Sequence, residues 1–75
     1  MAPPQKRSVT IRGHRTSFSL EDAFYRELER LARKRGLSVA ALIAGIDAAR
    51  TGDTNLSSAL RLYVLDEVKR EAGGV

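Results

Sequence analysis

The chain predicts a mostly α-helical fold with one N-terminal β-strand per chain, assembled as a homodimer. Three observations carry this prediction. Residues 8–20, SVTIRGHRTSFSL, alternate apolar with polar and are rich in β-branched side chains, the pattern of a half-buried strand. From Glu21 onward the apolar spacing becomes helical, in three successive blocks. Nothing after residue 20 reads as a second strand, so the strand's backbone groups must be paired from within the same stretch or by another copy of the chain.

The alternation within residues 8–20 changes parity. Val9 and Ile11 place apolar side chains on odd positions, Phe18 and Leu20 on even ones. A period-2 strand makes that change only through an inserted residue, a bend or a turn. Gly13 sits at the changeover, and glycine accepts the positive φ of a tight turn. The stretch therefore divides into Ser8–Arg12 and Arg15–Leu20, broken at Gly13-His14. In the second segment Phe18 and Leu20 point to the core, with Thr16 at the margin, while Arg15, Ser17 and Ser19 point away. Residues 1–7, MAPPQKR, hold two prolines and no apolar run, and read as a flexible arm ending in Lys6 and Arg7.

Phe24, Leu28, Leu31 and Ala32 recur at i, i+4, i+7 and i+8, with charged residues around the other side, which predicts a helix over about residues 21–35. Ser19-x-x-Asp22 suits its start, Glu21 and Asp22 complement the positive end of its dipole, Arg33, Lys34 and Arg35 the negative end, and Gly36 stops it. The basic trio is thereby assigned to the dipole and to solvent rather than to a ligand. Ser38 is the N-cap of a second helix, with Leu37 and Leu42 at the positions of a hydrophobic staple and Val39, Leu42, Ile43 and Ile46 as its stripe. The rest of that helix is alanine and Gly45. A glycine in a helix interior costs about 1 kcal/mol, which fits a close approach by another helix, most simply the same helix of a second copy. TGDTN at 51–55 is a turn, and Asn55 or Thr54 caps a third helix. Its stripe, Leu56, Leu60, Tyr63, Val64 and Val68, is widened past one face by Leu62 and Leu65, so the helix is buried on more than one side of a dimer. Residues 8–70 form one domain, and residues 71–75, with Gly73-Gly74, a frayed tail.

A 75-residue chain without cysteine and with a single histidine has neither a disulfide nor a closed structural zinc site. Oligomerisation is the remaining device by which so small a core becomes stable, and the unpaired strand asks for the same device. The formal charge is +4, and all of the excess lies in residues 1–20, where Lys6, Arg7, Arg12 and Arg15 meet no acidic residue; residues 21–75 balance nine basic against nine acidic. A dimer gathers about +8 on one face, a footprint for polyphosphate. Anionic lipid is the weaker partner, because the basic segment is a strand rather than an amphipathic helix. No apolar run is long enough to span a membrane and no signal-peptide core precedes the strand, which places the protein in the cytoplasm. Catalysis finds no constellation: His14 is the sole near-neutral base, it sits in a turn, and Ser17 and Ser19 make no triad with it. Glu67 and Glu71, one helical turn apart, read as a solvated face rather than metal ligands. No enzyme activity, cofactor or metal is expected.

Residues 15–50, from RTSFSLEDAF through RGLSVAALIAGIDAAR, resemble the ribbon-helix-helix DNA-binding proteins of the Arc and MetJ class. KRSVTIRGHRTSFSLE and NLSSALRLYVL resemble a bacterial subfamily of the same kind, which extends the likeness over nearly the whole chain. The resemblance implies an intertwined homodimer whose two strands form an intermolecular antiparallel ribbon in the major groove of double-stranded DNA. It implies Arg15, Ser17 and Ser19 as base-contacting residues, Phe18 and Leu20 as core, and the N-terminus of the second helix, Ser38 and Val39, as a phosphate anchor. The chain departs from the family's pattern in two places. Ser8–Arg12 precedes the family's strand, either lengthening the ribbon or folding back as a hairpin about Gly13; folding back brings in Thr10, Arg12 and His14 as DNA contacts, beside Lys6 and Arg7 of the arm. The third helix is an addition that suits a protein partner. The expected function is a sequence-specific transcriptional regulator, most simply a repressor. The alternative is a protein-interaction and dimerisation module, such as the antitoxin half of a toxin–antitoxin pair, and a third reading is a peripheral membrane or nonspecific polyanion binder.

Overall fold

A computed structural model of the chain describes residues 3–73; the first two residues of the expected arm and the last two of the expected tail lie outside the described residues. Strands β1 (Gln5–Ile11) and β2 (His14–Leu20) form an antiparallel hairpin in a register that runs from Gln5 opposite Leu20 to Ile11 opposite His14. Arg12 and Gly13 make its two-residue loop, with φ of 50° and 81°. Positive φ at both central residues is what a type I′ turn requires, and the twist of that turn matches the twist of the strands it joins.

The hairpin explains the change of parity. In this register each odd residue of β1 lies opposite an even residue of β2, so Val9 and Ile11 share a face with Phe18 and Leu20. Of the two arrangements open to residues 8–20, the chain adopts the fold-back, with β1 paired to β2 of the same chain. A two-residue turn brings the second strand into place at little loop-closure cost. β1 also begins earlier than expected. Gln5, Lys6 and Arg7 are strand, because their backbone is opposite Leu20, Ser19 and Phe18, so the expected arm is corrected to end before them.

Helices α1 (Asp22–Arg35), α2 (Val39–Ala49) and α3 (Leu56–Gly73) follow. The N-cap of α1 is Glu21, without a side-chain cap. Ser19, expected at this helix start, remains in β2 and donates its backbone N–H to Ser57 Oγ at 3.1 Å. Gly36, at φ 70°, closes the helix, with Leu37 N–H donating to the Ala32 carbonyl at 2.9 Å. The caps of the other two helices are as expected: Ser38 Oγ accepts from Ala41 N–H at 3.0 Å, and Asn55 Oδ1 from Ser58 N–H at 2.8 Å. The tail departs from expectation. Instead of fraying from residue 71, α3 continues to Gly73, because Glu71 accepts from Arg30 and from Lys34 of α1, each at 2.8 Å.

The core lies between the hairpin and the three helices. Ile11, Phe18 and Leu20 come down from the ribbon, Leu28, Leu31 and Ala32 from α1, Leu42 and Ile43 from α2, and Leu56, Leu60 and Val64 from α3. α2 packs against β1 and α3 against β2, with α1 against both helices. The helices thereby fill one face of the ribbon and leave the other to solvent. They also leave apolar surface uncovered: Leu62 is 59% exposed, Leu65 52% and Leu37 38%. The second apolar side of α3 has no partner among the described residues. No helix among the described residues is long and apolar enough to cross a membrane.

Candidate nucleic-acid interface

Side chains alternate across a strand, so a hairpin that buries Ile11, Phe18 and Leu20 must turn the intervening residues outward. Lys6, Ser8 and Thr10 of β1 and Arg15, Ser17 and Ser19 of β2 are all exposed on that outer face. They stand as three cross-strand pairs: Lys6 with Ser19, Ser8 with Ser17, Thr10 with Arg15. Arg12 is exposed at the turn. Lys6, Arg12 and Arg15 enter none of the ion pairs among the described residues. Their charge is uncompensated, and the groups between them are hydroxyls. Arg15 alone is oriented by a neighbour, its Nη2 donating to Ser8 Oγ at 3.1 Å.

A two-stranded ribbon is the width that the major groove of B-DNA admits. The residues on this one can do two kinds of chemistry there. Arginine and lysine bond the paired acceptors of guanine, and serine and threonine hydroxyls bond either donors or acceptors. At the edge of the helical layer, the N-terminus of α2 offers backbone N–H groups with no acidic residue in its first turn; Ser38 is exposed there and Val39 half-buried. Such a terminus can hold an anion.

Arg7 does not belong with these groups. It lies on the inner face, opposite Phe18, and its side chain is 22% exposed. Its Nη2 donates to Asp22 Oδ1 at 3.1 Å, its guanidinium lies 4.0 Å from the centroid of the Tyr25 ring, and its Nε is buried without a hydrogen-bond partner. The expectation that paired it with Lys6 is corrected by the pleat, which sends adjacent residues to opposite faces. Arg7 holds the open end of the hairpin to the start of α1. Glu21 and Arg61 make a second such link at 3.0 Å, and this hydrogen bond holds the Glu21 carboxyl below the usual range. His14 is exposed in the pair that closes the turn, on the inner parity of the ribbon beside Ile11 rather than among the outward residues.

Thr10, Arg12 and Arg15 are thus brought together at the turn end, with Ser17 at the centre of the ribbon and Ser19 and Lys6 at the open end. Ser8 is the outward residue that sequence reasoning passed over. Its signal was the parity change itself: once β1 and β2 are placed antiparallel, the even residues of β1 must join Arg15, Ser17 and Ser19.

A family model described as a ribbon-helix-helix domain matches residues 4–68, from the start of β1 through most of α3. No curated protein and no solved structure matches the chain.

Proposed function

The chain belongs to the ribbon-helix-helix family, and from that premise we propose that it binds double-stranded DNA sequence-specifically, ribbon in the major groove, as a small bacterial transcriptional repressor in the cytoplasm. The observation that carries this reading is the outer face of the hairpin, where Lys6, Arg12 and Arg15 stand uncompensated among four hydroxyl side chains. Arg15, Ser17 and Ser19 meet base edges, Thr10 and Ser8 join them from β1, and Arg12 and the turn reach the flanking backbone. Ser38 and Val39 anchor a phosphate through the first turn of α2. No step of this function is catalytic.

The reading includes a homodimer, and the helices offer a surface for a second copy. A groove of about 650 Å³ runs between α2 and α3, floored by Ala41, Gly45 and Ala49 and flanked by Leu62 and Leu65. The patch carries both projecting leucines and a recess of small residues, the self-complementarity that a two-fold interface needs. The chain exposes 5121 Å², whereas a compact monomer of 8.2 kDa exposes roughly 4,500 Å². The excess is of the order that one partner contributes to a standard interface, about 800 Å². A second copy seated here places two ribbons at the disposal of one DNA site.

Titration of the purified protein onto random and selected duplexes at several salt concentrations tests the function. Phosphate contacts predict affinity that falls steeply with salt, and base reading predicts a ratio of roughly 10³ or more between selected and random DNA. Equal, weak binding to every polyanion overturns the proposal in favour of a protein-interaction module.

A further inference from the structure

The third helix reaches the strand that carries the reading residues. Ser19, the last outward residue of β2, donates its backbone N–H to Ser57 Oγ in the first turn of α3 at 3.1 Å, across 38 residues of sequence. Two residues on, Glu21 is the N-cap of α1, and its Oε1 accepts from Arg61 Nε at 3.0 Å. Ser57 and Arg61 are one helical turn apart and share a face of α3. Together they grip the junction at which the ribbon becomes helix. Ser57 is half-buried there, whereas Ser19 is exposed.

A grip positions only if what holds it is itself fixed, and α3 is fixed along its length. Leu56 and Leu60 are buried in the core, Asn55 Oδ1 caps the helix through Ser58 N–H, and Glu71 bonds Arg30 and Lys34 of α1 at the far end. The Ser57 hydroxyl therefore presents its oxygen at a set place relative to the core. Ser19 is the less constrained party, one pair from the open end of the hairpin, and element ends fray unless tied down. We propose that Ser57 is a positioning residue for base recognition: it fixes the place at which Ser19 meets a base edge, and Arg61 supports it by holding Glu21. The inference rests on the DNA-binding reading above and makes the third helix part of the reading apparatus. Serine is the side chain on the ribbon for which placement matters most. It is short, so its hydroxyl reaches a base only when the backbone is in place, whereas Lys6 and Arg15 reach on long stems.

Site selection from random duplexes, followed by titration of the selected site altered one position at a time, tests the assignment in the full chain. Ser57→Ala removes the acceptor while placing the best helix former in α3. It is expected to lower preference at one base position, the one that Ser19→Ala also relaxes, by roughly 2- to 10-fold, the reach of one neutral hydrogen bond. Ser57→Thr keeps the hydroxyl and is expected to restore that preference. In a Ser19→Ala background, whose backbone N–H is intact, Ser57→Ala is expected to change preference no further. The slope of affinity against salt reports phosphate contacts and should not move. Equal loss at every position, or a loss that persists in Ser19→Ala, makes Ser57 a support of the fold alone and overturns the proposal. Amide exchange of the free protein is read in parallel, with Ser19 expected to exchange faster in Ser57→Ala; an unchanged rate denies the bond and overturns the proposal as well. A wild-type chain that selects no sequence removes the parent reading and this role with it, whereas wild-type selectivity untouched by Ser57→Ala sinks this role alone.

Discussion

Arg15 reaches diagonally across the ribbon to Ser8, Nη2 to Oγ at 3.1 Å, and a neutral hydroxyl thereby orients a guanidinium without cancelling its charge. An arginine held in this way loses less side-chain freedom when it meets a base. Arg15→Ala is expected to weaken specific binding by ~1–3 kcal/mol and to relax preference at one base position. Ser8→Ala should cost less, since it removes the orienting contact and leaves the charge. Competition with duplexes altered one position at a time measures both. A loss shared equally by all sequences would make Arg15 a phosphate contact.

Lys6 and Arg7 are neighbours in sequence and opposed in consequence. Lys6 faces outward without an ion pair, while Arg7 sits over Tyr25 and bonds Asp22 on the inner face. Arg7→Ala is expected to lower stability by about 1 kcal/mol, the range of a partly exposed cation–π contact, and to leave base preference intact. Lys6→Ala should do the reverse. Thermal melting and DNA titration of the two variants side by side decide the matter; equal melting temperatures would show that Arg7 does not fasten the hairpin.

The turn sets the ribbon, so its backbone is a sensitive place to perturb. Gly13 has φ 81° and a Cβ added there meets no atom within 4 Å, so its requirement is conformational rather than steric crowding. Gly13→Ala is expected to cost ~1–2 kcal/mol. Arg12, a side-chain-bearing residue at φ 50°, carries a similar but smaller penalty, and Arg12→Asn should stabilise the chain slightly, since asparagine tolerates that region better. Denaturant melts of the two variants should move in opposite directions.

What the residues announced and what they hid divides along one physical line. Local signals were legible: the helical period of Phe24, Leu28, Leu31 and Ala32, the caps at Ser38 and Asn55, and the break in alternation at Gly13. The partner of the strand was not, because an antiparallel ribbon presents the same alternation whether its second strand comes from the same chain or another. The deciding fact is a left-handed turn whose first residue is an arginine, which carries no turn signature of its own. Arg7 and Glu71 were misplaced for a related reason. Each is charged and near a terminus, and only a contact distant in sequence, to Asp22 for one and to Arg30 and Lys34 for the other, gives it a structural role.

That second cluster predicts a response to acid. Hydrogen bonds from Arg30 and then Lys34 pull the Glu71 carboxyl down to about 2, from an ordinary value of 4.5, and Arg30 is correspondingly raised. A carboxyl lowered in the folded state stabilises it fully above its unfolded value and loses that contribution as pH falls toward the folded one. The docking of the end of α3 on α1 should therefore hold above pH 4.5 and weaken between there and pH 2. Glu71→Gln is expected to flatten the fall of melting temperature over that window, with amide exchange in residues 69–73 accelerated at neutral pH. An unchanged acid profile would place the titration elsewhere.

The apolar face of α2 and α3 is the proposed seat of a second copy. Gly45 has an ordinary helical backbone, and a Cβ built on it meets no atom within 4 Å, so nothing in the chain itself calls for glycine there. In an isolated chain Gly45→Ala should raise stability by up to about 1 kcal/mol. If a second copy lays Leu62 and Leu65 into the groove, the same methyl group stands where those leucines must seat, and association should weaken even as the monomer gains helix propensity. Leu65→Glu, at a position 52% exposed, should abolish association without unfolding the chain. Sedimentation at micromolar concentration, with melting of each variant in parallel, reads both effects. A wild-type monomer with Gly45→Ala simply more stable would assign the groove to a different protein and return weight to the interaction-module reading.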